Sequence, residues 1–175
     1  MNTSIVLTLT GPDRVGIVED VAEALLGLGA NVENSRMARL GGEFAILMLV
    51  SLPSERAGEV ERALGHLASA GYKVTTSETS TSSDAFAGWS RYRVDVSGAD
   101  HEGIVREIAA GLSQRGINIE SAETGTTSAA TTGVTLFTMS AVVLVPPSLV
   151  EEEWMAALAE AGADANVDIE VSIDE

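Results

Sequence analysis

Gly11-Pro12-Asp13-Arg14-Val15-Gly16-Ile17-Val18 returns 87 residues later as Gly98-Ala99-Asp100-His101-Glu102-Gly103-Ile104-Val105. Extending the comparison to residues 11–33 and 98–120 leaves ten of 23 positions identical, among them Ala22/Ala109, Leu25/Leu112, Gly29/Gly116, Asn31/Asn118 and Glu33/Glu120. A repeat of this length means that the chain is one supersecondary unit used twice, and the fold must be sought inside one copy. Past this block the register shifts to 93, aligning Phe44 with Phe137 and Pro53 with Pro146. The second copy therefore carries about six extra residues in its central hairpin, between residues 126 and 133.

Working outward, Ile5, Leu7 and Leu9 alternate with polar residues, as do Tyr92, Val94 and Val96, the period of a half-buried strand. Asp13 then stands at the expected N-cap of a helix whose apolar positions are Val18, Val21, Ala22, Leu25 and Leu26. Gly29, like Gly116, is expected to end that helix. A strand over residues 32–40, a turn at Gly41-Gly42 and an apolar strand over 44–52 follow. A second helix is expected from Pro53-Ser54 to Gly71, with Val60, Ala63, Leu64 and Leu67 on one face, and a last strand over 72–77. In copy two the later elements fall at 134–145, a helix at 147–161 with Leu149, Val150, Trp154 and Leu158 inward, and a strand at 167–173.

This βαββαβ order, with right-handed crossovers, predicts an α+β chain of two ferredoxin-like modules. Each is a four-stranded antiparallel sheet of order 4-1-3-2 with two helices on one face. The expected boundaries are residues 1–78 and 89–175, joined by a Ser/Thr-rich linker at 79–88. The open sheet face and the edge made by the second strand both need cover, which a second copy can supply. A homodimer is expected on the same ground.

Bulk composition narrows the function. The 175 residues contain no cysteine, which excludes disulfides, thiolate metal sites and cysteine nucleophiles. The net charge of −16, with scattered arginines and one lysine, disfavours direct binding to a phosphate backbone. No apolar run approaches the roughly 20 residues of a membrane helix. Met1-Asn2-Thr3-Ser4 lacks the basic flank of a signal peptide, so a cytoplasmic location is expected, with no membrane contact. Two histidines, His66 and His101, and no repeated acid–base pair argue against a triad, a metal centre or an enzyme; no cofactor is implied.

The duplicated loop sits where a strand hands over to a helix N-terminus, where exposed N–H groups and the helix dipole favour an anion. An aspartate close by favours a cation. An amino-acid zwitterion carries both charges, so Gly11, Asp13, Arg14, Val15 and Gly16, with Gly98, Asp100, His101, Glu102 and Gly103, are the candidate ligand-binding residues. The competing reading makes Asp13 and Asp100 plain N-caps and Gly16 and Gly103 helix–sheet packing positions. Asn31 and Asn118 open the second strands, at the far end of each sheet from its own loop. Antiparallel pairing of those edge strands would carry each asparagine to the loop of the other copy, giving two shared sites; as turn residues after the glycine, they would instead be left-handed. His66 is expected at the surface, and Trp89, Trp154, Phe44 and Phe137 in packing.

The Gly-x-Asp-x-x-Gly-Ile-Val loop, the Gly-x-Asn-[Val/Ile]-Glu after the helix and the element order together resemble the ACT domain over nearly the whole chain. That resemblance implies amino-acid binding and regulation of an attached or partner protein. The tandem arrangement, with Gly133-Val134-Thr135-Leu136-Phe137 closing a longer hairpin through residues 128–132, looks like the glycine cleavage system transcriptional repressor group. This implies action through a partner such as a transcriptional regulator. The alternatives are an interaction module with vestigial pockets and, remotely, an acylphosphatase-like enzyme using Arg14, which Asp13 would hinder by repelling phosphate.

Overall fold

Strand alternation at Ile5, Leu7 and Leu9 puts these three side chains on one face, where all are buried with Ile46, Met48, Val50 and Leu52 of a neighbouring strand. A computed structural model of the chain describes residues 1–79, 84–128 and 133–174. It divides into two compact units, Met1–Ser83 and Asp84–Glu175, each with its own hydrophobic core.

The first unit runs β1 (Asn2–Pro12), α1 (Ile17–Gly27), β2 (Asn31–Leu40), β3 (Glu43–Pro53), a broken helical segment containing α2 (Val60–Ala63), and β4 (Lys73–Thr79). The second runs β5 (Ser90–Ala99), α3 (Ile104–Ser113), β6 (Asn118–Ser128), β7 (Thr135–Val145), α4 (Glu151–Asp164) and β8 (Val167–Ile173). The sheets have orders β2-β3-β1-β4 and β6-β7-β5-β8, and every pairing is antiparallel. These are the two ferredoxin-like α+β modules that the repeat predicts, with the expected strand order. Residues 80–83 of the expected linker and 129–132 of the longer hairpin lie outside the described residues.

Several local expectations are corrected. The stretch expected as one helix from Pro53 to Gly71 forms 3-10 turns at Ser54–Glu59 and Gly65–Ala70 around the four residues of α2. Gly58 and Gly65 explain the breaks, since each costs about 1 kcal/mol against alanine in a helix interior and neither has a neighbour its absent Cβ would touch. Helix α1 buries Ile17, Val21 and Leu25, while Val18 and Leu26 remain 37% and 75% exposed; the inward stripe is rotated from the one expected. Helix α4 begins at Glu151, after Pro147 and Ser148 have been used in a turn, and Val150 is its extended N-cap and exposed.

The repeated Gly-x-Asn-[Val/Ile]-Glu string has a structural meaning. Gly29 and Gly116 take the left-handed backbone at φ 69 and φ 70, so the asparagines need not, and Asn31 and Asn118 begin strands. The register then slips between Val32 and Asn34, and between Ile119 and Ser121, leaving Glu33 and Glu120 as bulge residues. Glu120 meets Arg91 at 2.6 Å, and Arg91 also pairs with Asp174, joining β6 through β5 to the chain following β8. Strands β2 and β6 are sheet edges with predominantly exposed side chains.

Candidate functional site

Each loop leaves its sheet at a glycine that the packing requires. A Cβ on Gly11 would lie 2.4 Å from the Tyr72 ring, and one on Gly98 would lie 2.7 Å from Val167 Cγ1 and 3.0 Å from the Asn166 carbonyl. The corner before β4 or β8 thus presses against the end of β1 or β5. At the other end stand Gly16 and Gly103, with φ 89 and φ 100, the left-handed region that glycine tolerates best. Cβ atoms on these two glycines would meet nothing closer than 3.6 Å. Backbone conformation, and not helix–sheet packing, fixes them.

Gly16 and Gly103 are also the N-caps, so the capping roles expected of Asp13 and Asp100 are overturned. The backbone explains why. The Asp13 N–H donates to the Gly42 carbonyl at 3.0 Å and the Asp100 N–H to that of Thr135 at 2.9 Å, so each aspartate still follows the hairpin. The first helical turn closes only with Asp20 N–H to Gly16 and Glu107 N–H to Gly103, both at 3.0 Å. The amides of Ile17, Val18 and Glu19, and of Ile104, Val105 and Arg106, precede the first intrahelical hydrogen bond and lie at the positive end of the helix dipole.

The two loops are braced differently. In the first, Tyr72 Oη donates to the Pro12 carbonyl at 2.5 Å, and the Arg14 guanidinium lies 5.7 Å from the Tyr72 ring centre while it donates to Asp20. Asp13 is held by Arg39 Nε at 2.7 Å, and Val15 points into solvent. With Arg14 so engaged, it is not presented as the anion-binding arginine an acylphosphatase-like site would need.

In the second loop, His101 Nε2 lies 2.6 Å from the Ala165 carbonyl and Nδ1 lies 3.0 Å from that of Glu102. Two carbonyl acceptors call for two N–H donors, the protonated imidazolium. Those bonds, to Glu102 and then Ala165, raise the His101 pKa above its ordinary value against some desolvation, and the charges of Glu107 and Asp100 add to the effect. Both ring protons are directed at the backbone, so His101 braces the loop against the corner before β8.

Beside this loop is an open depression of about 590 Å³, into which Asp100, His101 and Gly103 converge with Val105, Thr126 and Phe137. Gly98, Glu102 and Asn118 do not line it. Asn31 faces Ser51 across the ladder while Gly11 faces Phe44, and Asn118 faces Leu144 while Gly98 faces Phe137. Each asparagine is therefore seven residues, roughly 23 Å, from the loop of its own module. His66 is exposed, its ring near the Ala63 carbonyl. Phe137 and Trp154 are buried, Phe44 packs at the edge of the first core, and Trp89 meets Phe86 edge-on at 4.9 Å.

The sequence reading missed Arg39, Thr126, Arg106 and Tyr72. The register held the signal for the first two, because Arg39 and Thr126 stand opposite the aligned Phe44 and Phe137. No group of three His, Cys, Asp or Glu side chains suited to a metal occurs among the described residues.

Residues 3–77 match the family model of the ACT domain. Two curated relatives, each a glycine cleavage system transcriptional repressor, from Escherichia coli (strain K12) and Shigella flexneri, are 45% identical over 47 residues. That stretch is 27% of this chain and 25% of theirs, so the match spans about a quarter of the relatives' length. The crystal structure of an unknown protein from Galdieria sulphuraria superposes with TM-score 0.88 at 38% identity, covering 100% of both chains. That of a protein provisionally described as a glycine cleavage system transcriptional repressor superposes at 0.74 and 21% identity, over 100% of this chain and 99% of its own; this second likeness is one of fold.

Proposed function

We propose that the chain is a regulatory amino-acid-binding protein without catalytic activity, on the ACT-domain match of residues 3–77 and on a second module that repeats the same strand order and loop. ACT domains bind small molecules, amino acids among them, in regulatory proteins. The observation that carries the reading for this chain is the depression at residues 98–103. Asp100, the first turn of α3 and an apolar wall at Val105 and Phe137 line it, a set complementary to the ammonium, carboxylate and side chain of a small amino acid.

The regulated partner is another protein, a transcriptional regulator or an enzyme, and the chain itself leaves DNA alone; the −16 charge supports this. Asn31 and Asn118 enter the reading through the sheet edges, since an antiparallel strand laid on an edge brings its first residue to the loop end. The positions of β2 and β6 at the edges of their own sheets support a homodimer, and light scattering measures its mass.

A thermal-shift screen against the standard amino acids tests the reading. Ligand at 100 times its dissociation constant adds about 2.7 kcal/mol, a rise of several degrees. The expected result is a response to one amino acid or a small related group. Silence across the panel overturns it.

A further inference from the structure

The two loops share a backbone and differ in how their charges are disposed. In the first module the Asp13 carboxylate is paired with Arg39 at 2.7 Å. The register puts Arg39 opposite Phe44 and Thr126 opposite Phe137, so Thr126 is the second module's counterpart of Arg39. Asp100 consequently has no arginine or lysine within ion-pair distance among the described residues, and its carboxylate lines the depression.

A second exchange runs the other way. Arg106, third residue of α3, also lines the depression, and among the described residues it makes no ion pair or side-chain hydrogen bond. Its counterpart 87 residues earlier is Glu19. The second module thus offers a carboxylate whose neighbouring cation, the His101 ring, has both N–H groups turned to backbone carbonyls, and one guanidinium without an ion pair among the described residues. The first offers an aspartate already neutralised, with an additional acid where the guanidinium would be.

We infer that the chain binds its zwitterionic ligand unequally: the second module is the primary site, Asp100 receiving the ammonium and Arg106 with the α3 amides the carboxylate, while Arg39 and Glu19 disfavour the same ligand in the first. Arg39 acts twice against an ammonium, occupying Asp13 and repelling the incoming charge. Its pair with Asp13 is exposed, so the bias is moderate; an exposed pair worth up to about 1 kcal/mol corresponds to about five-fold in affinity.

The inference rests on the amino-acid-binding reading, and calorimetric stoichiometry separates the two. The full chain is titrated with each standard amino acid, and with the N-acetyl form of any that binds. One tight equivalent per chain is expected, with N-acetylation removing it because the ammonium is lost. Thr126→Arg is expected to weaken that equivalent about five-fold by giving Asp100 the partner Asp13 has. Asp100→Asn, nearly the same shape without the charge, weakens it about ten-fold or more. The double variant Arg39→Thr with Glu19→Arg strengthens the second equivalent. Melting curves of the unliganded variants establish that each is folded. Two equal sites in the unaltered chain, or affinity untouched by both Thr126→Arg and Asp100→Asn, overturns the asymmetry and leaves amino-acid binding standing. Heat from no amino acid overturns both.

Discussion

His101 ties the second loop to the corner before β8. Its ring is committed to the Glu102 and Ala165 carbonyls, an arrangement only the doubly protonated ring satisfies. The same bonds raise its folded pKa above the unfolded value of about 6.5. The stabilisation is therefore complete below about pH 6.5 and is lost as pH rises through the higher folded pKa. Melting the native chain and His101→Ala in parallel from pH 5 to 9 should show the widest gap at the acidic end, narrowing toward the alkaline end. A gap independent of pH would refute the protonated brace. Sequence alone could place His101 on the loop, but its acceptor at Ala165 is 64 residues away and is a main-chain carbonyl, which leaves no trace in side-chain identity.

At the scale of elements, the repeat made the sheets legible and the helices less so. Strand positions follow from a period of two, and a burial pattern such as that of β7 repeats it along its length. Helix α1 was harder, because apolar residues occupy more than one face and only packing selects Ile17, Val21 and Leu25 over Val18 and Leu26. The aspartate caps were misplaced because a left-handed glycine can start a helix without any capping side chain. The candidate site is legible in part: the loops stand out by recurrence, whereas the positions of Arg39 and Thr126 beside them follow from register across a hairpin. The broken segment around α2 offers a direct test. Gly58 and Gly65 have space for a methyl group and lack positive φ, so Gly58→Ala and Gly65→Ala should each stabilise by about 0.4–1 kcal/mol. In a unit of this size that is a rise in Tm of about 2–8 °C, read by circular dichroism. A fall would mean that the 3-10 geometry there is required by packing.

For the molecule as a whole, 26 acidic residues stand against 10 basic ones. Few of those acids are paired among the described residues, and the pairs that exist are largely at the surface. Mutual repulsion of this kind opposes compaction and is screened once the Debye length falls below the spacing of the charges. Raising sodium chloride from about 10 mM to about 0.5 M, where that length drops from about 30 Å to a few ångströms, should therefore raise Tm. A Tm that falls over the same range would show that specific ion pairs outweigh the repulsion.

The braces of the two loops run in opposite directions. In the first module the corner donates, from the Tyr72 hydroxyl to the Pro12 carbonyl; in the second the loop donates, from the His101 ring to the Ala165 carbonyl. A chimera that moves only the second loop into the first module would bring a ring donor to a corner that already supplies one. The reverse graft would leave two carbonyls with no donor between them. Loop and corner, some 60 residues apart in the chain, are thus a single inherited part. A recombinant that trades a loop together with its corner keeps the brace, whereas one that trades the loop alone loses it.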